Sequence, residues 1–186
     1  KALRLCREVI RHSANTIRTI HRRELDDASR LLDSARTALS SAASDLEGHP
    51  DIYHAGFLAD AQKEFAEASA TLAFIAGTPL PDARELKVEL APYLNGLGEA
   101  VGELRRYILD SLRRDDVSRC EELLQIMDDV YSILVTIDYP DAITGGLRRT
   151  TDATRGILER TRGDLTLALR QRQLEQKLAR WSEKQK

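Results

Sequence analysis

LRLCREVIRHSANTIRTIHRRELDDASRLLDSARTALSSAASDL, residues 3–46, contains neither proline nor glycine. Leu3, Cys6, Ile10, Ile17 and Ile20, then Leu31, Leu32, Ala35, Leu39, Ala42 and Leu46, recur at three- and four-residue steps. That recurrence gathers apolar side chains on one side of a helix. The spacing predicts one long amphipathic helix from Leu3 to about Leu46, ended by Gly48, with His49-Pro50 starting the next segment. Helices beyond about 40 residues are unusual inside a compact monomer. Such a helix needs a second surface along its whole length, and helix-on-helix assembly between subunits would provide one.

The same period runs outward through the rest of the chain. Asp51 to Ala76 reads as a second helix, with Phe57, Leu58, Ala61, Phe65, Ala68, Leu72 and Ile75 on one face. Gly77-Thr78-Pro79-Leu80-Pro81 breaks it, and Asp82 to about Leu90 reads as a short helix. Pro92 opens a third major helix through Leu97, Val101, Leu104, Ile108 and Leu112. Asp115 and Asp116 supply an acidic start for a fourth, carrying Val117, Leu123, Met127, Val130 and Leu134. After a turn at Tyr139-Pro140-Asp141, Leu147, Ile157, Thr161, Leu165 and Leu169 continue the period. The charged stretch 170–186 keeps Leu174, Leu178 and Trp181 on one side, so it reads as a helical extension. With no strand alternation and no linker, the reading is all-α: one domain over 1–186, an antiparallel bundle of about six or seven long helices.

Composition agrees and narrows the function. Of 186 residues, 42% are hydrophobic, 31% charged and only 5% aromatic. A net charge of −2 excludes a surface that binds nucleic acid indiscriminately, so any such binding must use a local basic patch. Cys6 and Cys120 lack metal-ligand spacing and read as reduced, buried thiols of a cytoplasmic protein. No apolar run is long enough to span a bilayer, and no signal peptide is visible.

The glutamates fall in unexpected places. At about 100° per residue, Glu64 lands within roughly 20° of Phe57 and Ile75 and about 40° from Ala68, on the edge of the apolar stripe. Glu67 follows one turn on. In the third major helix, Glu103 falls on a second face made of Tyr93, Gly96, Ala100 and Tyr107, with Glu99 at its edge. Gly96 and Ala100 would let another backbone approach closely. Acids aimed inward repel one another unless protons, arginines or a divalent cation join them. Carboxylate oxygens suit Mg²⁺ or Mn²⁺, and a metal so held can activate water against a phosphodiester. Ion pairs, such as Glu99 with Arg106, are the bland alternative.

Arg4, Arg7, Arg11, Arg18 and Arg22 form a stripe along the first helix, with His21 beside it. Guanidinium groups so spaced can grip successive phosphates, and the scarcity of aromatics favours backbone binding over base stacking. A solvated face paired with neighbouring acids would look the same. The basic residues of 148–162 are interspersed with Asp152 and Glu159 and read as salt-bridge partners.

Several segments together resemble the translin family, and its translin-associated-factor-X branch and archaeal homologues in particular. Leu5-Cys6-Arg7-Glu8-Val9-Ile10 through Thr16-Ile17-Arg18-Thr19-Ile20-His21-Arg22 is similar to that family's opening helix. Asp60–Ala68 is similar to the branch's first acidic motif, and Tyr93-Leu94-Asn95-Gly96-Leu97-Gly98-Glu99-Ala100-Val101-Gly102-Glu103-Leu104 to its second. Leu147 to Gly163 resembles the family's C-terminal helix. The resemblance implies a translin-like subunit in a closed, homo-oligomeric, octameric shell that binds single-stranded RNA or DNA. For the nuclease branch it implies Mg²⁺-dependent endoribonuclease activity. Its acidic positions match Glu64, Glu67, Glu99 and Glu103, expected to hold Mg²⁺ or Mn²⁺ and carry catalysis, with Glu99 standing where the family often has Asp. Arg7, Arg11, Arg18, His21 and Arg22 are the expected nucleic-acid contacts. The binding-only branch lacks the acidic set.

Overall fold

The computed structural model describes residues 1–183, and no strand occurs among them. Six substantial helices make the bundle: α1 (Ala2–His21), α2 (Leu25–Asp45), α4 (Phe57–Ala76), α6 (Leu90–Leu112), α7 (Cys120–Leu134) and α9 (Leu147–Glu183). Three single turns, α3 (Pro50–Tyr53), α5 (Ala83–Leu86) and α8 (Asp141–Thr144), punctuate the connections. The all-α bundle is therefore as the periodicity predicts, but several boundaries are not.

The first helix is two. The chain turns back at Arg22-Arg23-Glu24, so that α1 packs along α2 and Lys1 pairs with Asp45 at 2.9 Å. Arg23 sits at φ +65°, in the left-handed region usually left to glycine. Its N–H donates to Ile20 O at 2.8 Å, and that of Glu24 to Thr19 O at 3.2 Å. This pair of bonds is a Schellman stop formed without glycine. The Arg23 guanidinium helps hold the turn, donating to Ser111 Oγ at 3.0 Å and Asp116 Oδ2 at 3.2 Å. Because α1 and α2 cover each other, the length of this segment is no longer an argument for assembly between subunits.

The second helix also begins later than its apolar pattern suggests. Residues 54–56 interrupt it, and Gly56 at φ +95° forms the N-cap of α4. Asp115 and Asp116 lie in the turn before α7 rather than at its start, where Asp116 Oδ1 accepts from Ser118 N and Oγ. The Asp82–Glu85 capping box opens α5 as a short turn.

α6 is the central element, packed by α4, α7 and α9. Val101, Leu104 and Ile108 of α6 and Phe65 of α4 are fully buried. Asn95 ties three elements together: its amide donates to Ala91 O and Thr144 O at 2.9 and 2.8 Å, and its oxygen accepts from Thr150 Oγ1 at 2.6 Å. α9 is buried as far as Leu165, and beyond it Leu167, Leu174, Leu178 and Trp181 face solvent. The extension expected over 170–186 is helical to Glu183; its last three residues lie outside the described range. Cys6 and Cys120 are buried free thiols. Among the described residues no helix is long and apolar enough to cross a membrane.

Candidate metal centre

The approach of α4 to α6 creates the site. Gly96 is the pivot, because a Cβ built there would lie 2.7 Å from Lys63 O and 2.9 Å from Glu67 N. No side chain larger than hydrogen fits that gap. The backbone of α6 thus lies directly against the turn of α4 that bears Lys63, Glu64 and Glu67. One turn beyond Gly96, Glu99 meets them. Carboxylate oxygens of Glu64, Glu67 and Glu99 all lie within 4.8 Å of one another, each residue partly buried. Glu103 lies outside that set. Its Oε2 accepts from His21 Nε2 at 2.5 Å and lies 3.8 Å from Arg106 Nη1.

The electrostatics follow from crowding. Burial first, then the charges of Glu99, Glu64 and Glu103, push Glu67 up to about 8. Burial also raises Glu64, against the opposing pull of Lys63. Lys63 Nζ donates to Glu99 Oε1 at 2.7 Å and lies 3.7 Å from Glu64 Oε1. Burial disfavours its charge, but the hydrogen bond and charge of Glu99, with Glu64 and Glu67 behind, outweigh that and hold it above the ordinary lysine value. Three converging hard oxygen donors, with more negative charge than one ammonium can neutralise, fit a divalent cation of the Mg²⁺ or Mn²⁺ class.

Crowding has a consequence for stability. Glu67 is raised in the folded state above its ordinary 4.5, so the folded chain binds more protons than the unfolded one between about pH 4.5 and 8. Its contribution therefore favours folding at low pH and is lost as pH rises toward 8. Glu67→Gln removes this proton uptake, so in chelator the variant should melt progressively higher than wild type as pH rises from 5 to 8. A difference in melting temperature that stays constant with pH contradicts this account.

Of the expected nucleic-acid residues, Arg7, Arg11 and Arg18 are exposed on α1, and Arg22 is exposed in the turn that follows it. Arg18 donates to Asn15 Oδ1 at 2.7 Å and Arg22 to Glu24 Oε2 at 3.0 Å. His21 stands apart from them: it is buried against Glu103, and its Nδ1 has no partner. The signal was present, since His21 lies four residues after Ile17 on the apolar face of α1. Lys63 has no role legible in the sequence, because nothing in the pattern of α4 alone says that its amine reaches α6. The same holds for a cleft of about 790 Å³ beside the acids, lined by Lys63, Glu99, Asn95, Arg149, Thr150 and Ile157.

No family model matches the chain. It is 31% identical over 179 residues to an uncharacterized protein of Methanocaldococcus jannaschii, covering 96% of this chain and 79% of that one. The crystal structure of AfC3PO superposes with a TM-score of 0.85 at 34% identity, covering 92% of this chain and 89% of that one. AfC3PO in its complex with duplex RNA gives the same score and identity, with 92% and 88% covered. Apo-NeC3PO, at 20% identity, shares the fold with a TM-score of 0.81 over 90% of this chain and 87% of that one.

Proposed function

Since the chain belongs to the C3PO/translin family, we propose that it is a Mg²⁺- or Mn²⁺-dependent endoribonuclease that cleaves single-stranded RNA inside a homo-oligomeric, octameric cytoplasmic shell. The observation that carries the reading is the convergence of Glu64, Glu67 and Glu99 within 4.8 Å. The RNA complex of AfC3PO supports the substrate class, and because that RNA is a duplex, both strand forms belong in the test.

Glu64, Glu67 and Glu99 would hold the cation. Bound there, it would supply Lewis-acid stabilisation of the phosphodiester and a water of lowered pKa for in-line attack. Glu67 must give up its proton before it can ligate, so loading of the site should improve as pH approaches about 8. His21, anchored in α1, fixes the carboxylate of Glu103 at the edge of the cluster. Arg18 on α1 and Arg22 in the turn after it flank His21 in sequence, and with Arg7 and Arg11 they form the exposed basic stripe that would hold the strand by its phosphates. The exposed apolar stripe of Leu167, Leu174, Leu178 and Trp181 on α9 supports burial of that helix between subunits.

The deciding experiment incubates purified protein with labelled single-stranded and duplex RNA, with Mg²⁺ or with chelator, and resolves complexes and products together. Shortened single-stranded RNA only in Mg²⁺ is the expected result. Complexes without products would support a binding protein, translin-like but without turnover. Neither complexes nor products at moderate salt would remove nucleic acid from the function.

A further inference from the structure

We propose that Lys63 is the resident counter-cation of the acidic cluster, and that a divalent metal displaces its ammonium into the adjoining cleft, where it meets a phosphate oxygen of the bound strand. The inference rests on the reading of Glu64, Glu67 and Glu99 as a metal centre.

Three observations carry it. First, Lys63 Nζ takes up Glu99 at 2.7 Å and stands 3.7 Å from Glu64, two of the three residues whose oxygens converge. A cation seated among those oxygens and an ammonium on Glu99 would be neighbouring like charges competing for the same lone pairs, and in a partly buried site that repulsion is weakly screened. Second, Lys63 has somewhere to go. Lys63 and Glu99 together form part of the wall of the 790 Å³ cleft, so the amine can turn from one space to the other by rotation of its flexible four-carbon stem. Third, the cleft suits a piece of nucleic acid. Its volume falls in the range of small-ligand sites, Ile157 and Pro92 offer apolar surface, and Arg149 supplies a second cation. Asp60 and Glu89 also line it, so without Lys63 the cleft has one cation against three carboxylates including Glu99. With Glu99 taken up by the metal and the ammonium turned into the cleft, Lys63 and Arg149 balance Asp60 and Glu89, and the cleft no longer repels a phosphate. Metal and RNA would then bind cooperatively through one side chain.

Titration calorimetry with MnCl₂ in the absence of nucleic acid tests the competition. Lys63→Met should bind Mn²⁺ at least about tenfold more tightly than wild type, the scale of one lost charge–charge contact at 1.4 kcal/mol per decade, whereas Lys63→Arg should stay close to wild type. Equal or weaker affinity in Lys63→Met overturns the proposal. Lys63→Gln provides a second test of the same point, and wild-type protein provides one that needs no variant. Amine labelling read by mass spectrometry should rise at Lys63 on adding MgCl₂ while Lys87 is unchanged. With CaCl₂ and a single-stranded RNA, Lys63 should be protected again. Labelling at Lys63 indifferent to MgCl₂ overturns the displacement, and labelling indifferent to RNA overturns the phosphate contact. A Mn²⁺ site insensitive to Lys63 sinks this inference alone. Absence of Mn²⁺ binding in wild type and Lys63→Met alike sinks it together with the metal centre.

Discussion

Glu64→Ala should lower RNA cleavage by about a thousandfold while leaving RNA affinity within a small factor of wild type, and Glu67→Gln should do the same. Metal-assisted stabilisation of a phosphodiester is worth several kcal/mol, and about 4 kcal/mol corresponds to three decades in rate. Both side chains lie in the three-carboxylate set, so losing either removes a ligand from a site that has few to spare. RNA affinity should fall by no more than the single Lys63–phosphate contact that metal binding releases, because the exposed arginines of α1 lie on another helix. Glu103→Ala separates two roles. Its carboxylate is held by His21 outside the converging set, which makes it a positioning group, and such partners typically account for about 10- to 100-fold. A smaller loss in Glu103→Ala than in Glu64→Ala, matched by His21→Ala, is the expected pattern. The measurement is single-turnover cleavage of labelled RNA, with binding followed separately in Ca²⁺. Full activity in both Glu64→Ala and Glu67→Gln would remove the cluster from the chemistry.

What the sequence discloses and what it withholds divide along a physical line. Periodicity reports what a residue does within its own helix, so the apolar faces of α4, α6 and α7 and the inward drift of Glu64, Glu67 and Glu99 are legible. It does not report conformations a residue adopts against its preference. The turn at Arg23 needs a left-handed backbone that sequence reasoning assigns to glycine, and tertiary contacts to Ser111 and Asp116 help hold an arginine there. Nor does it report reach between helices. Lys63 to Glu99 and His21 to Glu103 span 36 and 82 residues of chain, and both pairs depend on how closely α6 approaches its neighbours. The small-residue face at Gly96 and Ala100 is the one sequence feature that anticipates this approach, and it does so because size alone sets how near two backbones can come.

Gly96→Ala should therefore destabilise the fold and dismantle the acidic site in one step. Alanine is the better helix former by about 1 kcal/mol, so in an open helical position this substitution stabilises. At Gly96 the new Cβ would stand 2.7 Å from Lys63 O, 2.9 Å from Ala66 Cβ and 2.9 Å from Glu67 N. Two of those three atoms are backbone, which cannot turn aside as a side chain can. α4 and α6 must separate by several tenths of an ångström along their closest stretch, where Phe65, Ala66 and Ala100 are fully buried. Overpacking of this kind costs about 1–3 kcal/mol or more. Because the clash is with backbone, the cost belongs at the upper end, and after the propensity gain a net loss near 2 kcal/mol is expected, or a fall in melting temperature of about 4–8 °C for a chain of this size. Gly102→Ala is the internal control, on the same helix, where the nearest neighbour of a new Cβ is Ile157 Cδ1 at 3.9 Å. It should hold or raise the melting temperature. Because the displaced stretch of α4 carries Lys63, Glu64 and Glu67, Gly96→Ala should also weaken Mn²⁺ binding, and Gly102→Ala should not. Equal melting temperatures for the two variants would mean that the helices have room to spare, and that the convergence of the carboxylates does not depend on glycine at their crossing.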